Sequence, residues 1–348
     1  MSGTPAEPRR ASRRLRLGGW AFVVLSLAFL GALWARQGGE LGRLRADLAA
    51  AGWRLRPGWA LASLGPGILS LFVMGRVWVG IFRRLGGSCG TAEGIRVWMT
   101  TNLGRYVPGK VWQLAGLAAY MRERRGAGAA ALAAAALFQV LVLGTGAAVA
   151  LASLGGTPGG AWMRVGAAAL VVAGLGLLLR PAPAVRLARL LARRFGEGET
   201  AALARSGPRA LWSGGAALVA AWLLQGVGLW LLWRGVGGPA DPGPWRFAGL
   251  FAAAYLAGYL ALFAPGGLVV REGALAGLLV ATGPVSLAPA AAFAAVARLW
   301  STAAELGALG VAWLPRAGGR AETSRRIDGG PPDTGGGRGP SETADERK

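Results

Sequence analysis

The segment NLGRYVPGKVWQLAG, residues 102–116, decides how this chain folds. It places Arg105 and Lys110 between long apolar stretches, and Lys110 is one of only two lysines in the sequence. Proline suits the first turn of a helix but breaks a helix that is already running. We therefore expect a helix to restart behind the Pro-Gly pair and to end near residue 121. At about 1.5 Å per residue, that helix reaches roughly 18 Å, too short for a hydrocarbon core of about 30 Å.

The rest of the chain has the composition of a polytopic membrane protein. Of its 348 residues, 53% are hydrophobic and only 16% are charged. A bilayer needs about 20 consecutive apolar residues. Apolar runs cover residues 17–35, 57–82, 129–151, 165–179, 210–233, 247–263 and 290–314, with 273–284 as a candidate for a further short span. The sequence predicts an all-α, polytopic helical membrane protein with about eight transmembrane helices and with re-entrant or broken half-helices at two Pro-Gly motifs.

The formal net charge of +22 is explained by basic loops and tails. Polytopic proteins collect arginine and lysine in cytoplasmic loops, and no soluble platform interleaves these residues with aromatics, so nucleic acid is not expected as a partner. We assign residues 1–16 to a basic cytoplasmic tail, 17–315 to a transmembrane domain and 316–348 to a disordered polar tail. Both termini are placed in the cytoplasm. A predicted amphipathic helix over residues 40–56 would place its arginines on the external side of the membrane, which counts against this orientation.

Two residue counts exclude several kinds of chemistry. The sequence has one cysteine, Cys89, and no histidine, which rules out a disulfide framework and histidine-based catalysis. Neither a metal site nor a glycine-rich, nucleotide-binding loop is expected. The sequence therefore predicts no cofactor and no enzyme activity.

The first Pro-Gly motif has the features of an anion site. Basic residues flank it on both sides, so the segment should enter the membrane and return as a re-entrant hairpin. Irregular backbone at membrane depth is tolerated only within protein or beside a water-filled cavity. A helix N-terminus carries partial positive charge, to which Arg105 and Lys110 add full charges, and phosphate is the obvious anion. Alternatively, Lys110 snorkels to the interface, with Tyr106 and Trp112 as ordinary belt aromatics.

The segment LFAPGGLVVREGALAGLL, residues 262–279, repeats this device. An apolar run is followed by a Pro-Gly-Gly break and then by a helix carrying Arg271 and Glu272. Paired broken helices in the two halves of a membrane chain indicate a central substrate site. We therefore hypothesise an inverted-repeat architecture.

The last span adds Arg298 and Glu305. Seven residues separate them, about 10 Å along a helix, so each should meet a charge on another segment. Lys110 is a candidate partner for either glutamate. Four inner cations against Glu272 and Glu305 leave a positive surplus that favours an anion site over a purely structural network. The candidate substrate-binding residues are Arg105, Tyr106, Pro108, Gly109, Lys110, Trp112, Gln113, Pro265, Gly266, Gly267, Arg271, Glu272, Arg298 and Glu305.

Three motifs carry a family resemblance: NLGRYVPGKVWQ at 102–113, PGGLVVREGAL at 265–275 and RLWSTAAELGAL at 298–309. They resemble the lysylphosphatidylglycerol synthase transmembrane-region family, also called flippase-like membrane proteins. The resemblance implies a helical bundle with re-entrant segments. Some members form the lipid-flipping half of an enzyme that attaches lysine to phosphatidylglycerol with a separate soluble domain, which is not expected here. It therefore implies lipid translocation or lipid binding rather than aminoacyl transfer.

The expected function is to bind a lipid with an anionic headgroup and to translocate it across the cytoplasmic membrane. One alternative is a membrane-embedded transferase that modifies a lipid, with Glu272 as its base. Another is a non-catalytic membrane partner of a lipid enzyme. A homo-oligomer or a complex with a lipid enzyme is compatible with each of these readings.

Overall fold

A computed structural model describes residues 46, 49, 52–54, 56–106, 112–154, 168, 209–239, 241–261 and 267–314. The predicted spans at 17–35 and 165–179, most of the amphipathic helix and both tails lie outside these ranges. The chain divides into two units, Met1–Ala312 and Trp313–Lys348. The architecture below is that of the first unit.

Within the described ranges the chain is helical, with nine α-helices, one 3-10 helix and no strand. The helices are α1 Pro57–Ala62, α2 Leu64–Arg84, α3 Thr91–Asn102, the 3-10 helix Leu103–Tyr106, α4 Trp112–Arg125, α5 Gly128–Leu154, α6 Arg209–Val236, α7 Gly243–Leu260, α8 Val270–Thr282 and α9 Leu287–Trp313. The predicted all-α class is confirmed.

Four helical segments are long and apolar enough to cross a membrane: Pro57–Arg84, Gly128–Leu154, Ser213–Gly235 and Leu287–Trp313. They match four of the predicted spans. The candidate short span at 273–284 coincides with α8, which has only 13 residues. At about 1.5 Å per residue α8 is roughly 20 Å long, so it does not reach across a core of about 30 Å. It is a half-helix rather than a span.

Helices α3 and α4, with the 3-10 helix after α3, form an antiparallel pair, here called hairpin A (described residues 91–106 and 112–125). At its open end Arg125 pairs with Glu93, with 2.6 Å between Nη2 and Oε2. At its inner end the Gln113 amide donates to the Asn102 side-chain oxygen over 2.8 Å. With 12 and 14 residues, both helices are too short to span. The two helices run antiparallel, as the predicted re-entrant hairpin requires.

Helices α7 and α8 form a second hairpin, here called hairpin B (described residues 243–261 and 267–282). Arg246 near the start of α7 donates to the Thr282 carbonyl at the end of α8 over 2.9 Å. At the inner end the turn before α8 packs directly on Gly258 of α7. An arginine therefore links the two helices of hairpin B at its open end, as Arg125 does in hairpin A.

The two hairpins open toward opposite ends of the bundle. Helix α5 begins at Gly128, directly after the open end of hairpin A, and runs 27 residues to Leu154. There, Ser153 and Leu154 lie against Gly249, close to the start of α7. The open end of hairpin B therefore sits at the far end of a membrane-length helix from that of hairpin A. This opposed arrangement agrees with the inverted-repeat hypothesis.

An aromatic core fixes α9 between the hairpins. Phe293 of α9 packs edge-on against Trp233, with ring centroids 4.8 Å apart, and lies 6.3 Å from the Phe247 ring. About two turns later, Trp300 packs edge-on against Phe251 of α7 at 6.0 Å. These contacts hold the central turns of α9 inside the bundle, and its charged residues therefore face other protein segments rather than lipid.

Candidate functional site

The inner ends of both hairpins bring their charged residues to α9. Arg105 and Tyr106 lie on the 3-10 helix that ends the first arm of hairpin A. Arg271 and Glu272 lie in the first turn of α8. Three distant motifs in the sequence therefore meet at one place in the fold.

Glu305 ties hairpin A to α9. Its carboxylate forms an ion pair with Arg105 and accepts a hydrogen bond from the Tyr106 hydroxyl over 2.8 Å. The Glu305 side chain is only 11% exposed. A buried carboxylate with two charge-assisted partners is well satisfied, so this network has a clear structural role.

Arg298 connects α9 to both hairpins. Its Nε lies 3.6 Å from Oε1 of Glu272 in hairpin B, and its guanidinium lies 5.3 Å from the centre of the Tyr106 ring in hairpin A. As expected from their spacing, Arg298 and Glu305 do not pair with each other but with charges on other segments. Glu272 pairs with Arg298, and Glu305 pairs with Arg105. The suggested partner Lys110 lies outside the described residues.

Arg271 differs from the other two cations. Its guanidinium lies over the aromatic rings of α7, 4.6 Å from the centre of Phe251 and 5.8 Å from that of Tyr255. In the described part of the chain it has no carboxylate within 4.0 Å. Aromatic faces stabilise a cation without neutralising it. Three guanidinium groups against two carboxylates thus leave a surplus of one positive charge in the described cluster.

A small pocket opens beside Arg271. Arg271, Glu272 and Arg298 supply its polar wall, and the rest of the lining is apolar: Phe251, Ala254, Leu275, Ala294 and Ala297. Alanines on α7 and α9 leave room next to the charged groups. Apolar walls with a few convergent charges are typical of a ligand site, and the volume of about 10 Å³ leaves room for about one water molecule in this conformation.

Glycines and a strained turn position Arg271. Gly267 has φ +71° and packs so closely that an added Cβ would lie 2.9 Å from the Gly258 carbonyl oxygen. A Cβ on Gly258 would lie 2.9 Å from the Cβ of Arg271. Val269 has φ +69°, unusual for a β-branched residue and costing about 1–3 kcal/mol. The turn is thus held in an unfavourable conformation that presses the start of α8 onto α7.

The other predicted site residues fall into two groups. Trp112 is 49% exposed at the start of α4, and Gln113 is engaged with Asn102 in hairpin A, so neither lines the pocket. Gly267 shapes the turn before α8. The remaining predicted residues lie outside the described part of the chain: Pro108, Gly109, Lys110, Pro265 and Gly266.

Sequence reasoning missed the aromatic side of the site. Phe251 and Tyr255 are four residues apart on α7 and both lie under Arg271. That spacing puts them on one helix face, but in an apolar helix the same spacing is equally typical of core residues. Asn102 stands in the first motif, and its side-chain oxygen accepts the Gln113 hydrogen bond that joins the two arms of hairpin A near their inner ends.

Comparison with known proteins identifies the family. The family model described as the lysylphosphatidylglycerol synthase TM region matches residues 17–306, a range that runs from before the first hairpin through Glu305. Searches of curated proteins and of solved structures each found no match. Since the family model covers most of the sequence, the chain belongs to the lysylphosphatidylglycerol synthase TM-region family and is a multi-pass integral membrane protein linked to lipid handling.

Proposed function

We propose that this protein binds a lipid with an anionic headgroup and translocates it across the cytoplasmic membrane. The observation that carries the proposal is Arg271, a cation that lines an interior pocket without a carboxylate partner among the described residues. A phosphodiester bears one negative charge, which matches the surplus of one in the described cluster. The planar guanidinium suits bidentate phosphate binding.

The opposed hairpins support movement of the headgroup rather than binding alone. The described inner ends of both hairpins meet at one charged cluster, and their open ends lie at opposite ends of the bundle. A fixed central site between two inverted elements can be exposed to either side by small movements of one element against the other. The lipid tails would stay in the bilayer, so only the headgroup needs a polar path.

The first test is translocation by the Arg271→Ala variant. We expect it to lose most of the wild-type rate with fluorescent phosphatidylglycerol in proteoliposomes, a loss of about tenfold or more, because a charge-assisted phosphate contact is worth about 1.5–3 kcal/mol. Arg271→Lys keeps the charge but lacks the planar guanidinium that binds phosphate through two donors. Its translocation rate should lie between those of the wild type and Arg271→Ala. Dithionite quenching of the outer-leaflet label measures the rate.

Arg124→Ala is the matched control, since Arg124 is exposed near the end of α4 and away from the pocket. It should translocate at the wild-type rate. A wild-type protein that moves no lipid would contradict the proposal and favour a non-catalytic partner. A wild-type protein that converts the lipid into a new product, seen by mass spectrometry, would favour the transferase alternative.

We further propose that the open end of hairpin A faces the cytoplasm. Several arginines cluster there, which fits the positive-inside rule. They are Arg83, Arg84, Arg122, Arg124 and Arg125. Hairpin B would then open toward the outer face.

Cys89 allows this orientation to be measured, because it is the chain's one cysteine and lies in the α2–α3 loop at that end. Burial raises the pKa of its thiol, while the Arg83 guanidinium acts in the opposite direction. The thiolate is the reactive form, so alkylation should be slow at pH 7 and accelerate as the pH rises beyond the ordinary thiol range. A membrane-impermeant maleimide should label inside-out vesicles but not right-side-out ones, with Cys89→Ser as the blank. The reverse pattern would invert the orientation.

A further inference from the structure

The pocket beside Arg271 is closed in this structure. Its volume of about 10 Å³ leaves room for about one water molecule, and a phosphate-bearing headgroup is several times larger. A headgroup therefore enters only if one wall of the pocket moves. Residues of α7, α8 and α9 form these walls, and the three helices are held in the bundle with very different strength.

Helices α7 and α9 are fixed by the aromatic core. Phe251 of α7 packs on Trp300 of α9, and Phe293 of α9 packs on Trp233 of α6. All four side chains are buried. Moving either helix would pull large rings out of a close-packed interior and leave cavities behind, which is costly. These two walls of the pocket therefore stay in place.

Helix α8 is held much less firmly. Its buried residues are Leu275, Ala276 and Leu279, none of them aromatic. The opposite face of the helix is open, because no atom lies within 4 Å of a Cβ built on Gly273 or on Gly277. A movement of α8 toward this open face gives up little packing and meets no close neighbour in the described part of the chain.

The charged contacts show the same asymmetry. Glu272 of hairpin B faces Arg298 of α9 across 3.6 Å, and among the described residues neither Glu272 oxygen accepts a hydrogen bond. Glu305 of α9, in contrast, pairs with Arg105 of hairpin A and accepts a hydrogen bond from Tyr106 over 2.8 Å. Among the described contacts, separating α8 from α9 breaks a long ion pair, whereas separating hairpin A from α9 breaks a hydrogen-bonded network.

We infer that α8 is the gate of the pocket and swings away from α9 about its far end, while α7, α9 and hairpin A stay in place. The inference rests on the proposed function and names the element that moves. The pivot is Thr282, whose carbonyl accepts the 2.9 Å hydrogen bond from Arg246. The moving end carries Arg271 and Glu272. The φ of +69° at Val269, next to that end, is unfavourable and promotes departure from the closed conformation.

Thiol accessibility tests the gate without any need for translocation. In a Cys89→Ser background, three single variants place a cysteine at buried positions: Ala297→Cys in the pocket wall, Ala304→Cys against α2, and Leu103→Cys at the inner end of hairpin A. The native side chains are 4%, 2% and 3% exposed, so the closed structure alone predicts equally slow reaction. The probe is a charged methanethiosulfonate added to the purified protein in detergent. We expect Ala297→Cys to react about tenfold faster or more, because opening of α8 admits water to this position alone.

The reaction rates decide which element moves. Equal rates for Ala297→Cys and Leu103→Cys would overturn the inference, because hairpin A would then open as readily as α8. Slow reaction at all three positions would also overturn it, since no wall of the pocket would then move. A fast reaction of Ala304→Cys would place the movement in α9 and contradict its fixed position.

Reversible cross-links test whether translocation needs this movement. A short bifunctional methanethiosulfonate joins α8 to α9 in the variant Leu275→Cys, Ala297→Cys, whose positions both line the pocket. In the control variant Leu103→Cys, Leu309→Cys it joins hairpin A to α9, where Leu309 packs against the cluster that contains Leu103. We expect the α8 link to slow translocation of fluorescent phosphatidylglycerol about tenfold or more, with recovery on reduction, and the control link to leave the rate within a few-fold of wild type.

The outcomes separate the gate from the proposed function. Unchanged translocation with α8 linked, or lost translocation with hairpin A linked, would overturn the inference and leave lipid translocation standing. A Cys89→Ser protein that moves no lipid before any cross-link would contradict the proposed function, and the thiol reaction rates would still decide whether α8 opens the pocket.

Discussion

Replacement of Gly226 by alanine should destabilise the protein strongly, because α6 and α7 touch through their backbones at this residue. A Cβ on Gly226 would lie 2.5 Å from both the backbone nitrogen and the Cα of Ala248. Real Cβ atoms essentially never approach closer than 3.0 Å. No side-chain rotation relieves the overlap, so the helices must separate and the core around them must open. Overpacking of a close-packed interior costs typically 1–3 kcal/mol, and a backbone contact lies at the upper end.

Gly80→Ala provides the matched control, since Gly80 is also within a membrane-length helix but has no atom within 4 Å of a Cβ built there. Alanine there should leave the stability unchanged or raise it slightly. The readout is the apparent melting temperature in detergent, from the fraction of folded protein that elutes on size exclusion after heating. We expect Gly226→Ala to melt several degrees below both the wild type and Gly80→Ala. Equal melting of the two variants would contradict the close α6–α7 contact.

This contact also matters for the pocket. Helix α7 carries Phe251 and Tyr255 beneath Arg271, and Gly258 receives the turn that begins α8. Displacement of α7 would move the aromatic floor of the site. Any residual folded Gly226→Ala should therefore also bind lipid more weakly.

Much of the architecture could be predicted because the signals are local. The proline and glycine pairs marked where membrane helices are interrupted, and basic residues on both flanks of the first motif predicted that it returns to the side from which it enters. The half-helices α4 and α8 follow the two motifs. Span length comes directly from the apolar runs, as at Gly128–Leu154.

The contacts of the site could not be predicted, because they join residues far apart in the chain. Arg105 and Glu305 are 200 positions apart, and helical periodicity does not say which helix a face meets. The sequence offered Lys110 as a partner for either glutamate. Among the described residues the glutamates pair with Arg105 and Arg298, because α9 lies against both hairpins, while Lys110 lies outside the described residues and stays a candidate partner.

Glu305 provides the second large expected effect. Glu305→Ala would leave the partly buried Arg105 guanidinium and the buried Tyr106 hydroxyl without their acceptor. Loss of one partner from a buried ion pair costs about 3–5 kcal/mol, mainly because the remaining charge is uncompensated. We expect a large fall in apparent melting temperature, or too little folded protein to purify.

The double variant Arg105→Met, Glu305→Leu tests the cause of that loss. It removes both charges and fills their space with apolar groups, which in buried pairs is often neutral or stabilising. We therefore expect it to melt close to the wild type and well above Glu305→Ala, with a coupling free energy of about 2 kcal/mol or more in the double-mutant cycle. A double variant as unstable as Glu305→Ala would show that the carboxylate stabilises the fold through Tyr106 rather than through Arg105.

The same double variant separates the two roles of arginine in the cluster. Arg105 already has a carboxylate partner, whereas Arg271 has none among the described residues, so the proposed phosphate contact belongs to Arg271. The folded double variant should keep translocation within a few-fold of wild type, while Arg271→Ala, equally well folded, should lose it. If the double variant folds but no longer moves lipid, Arg105 contacts the headgroup directly, and the anion site extends across both hairpin tips.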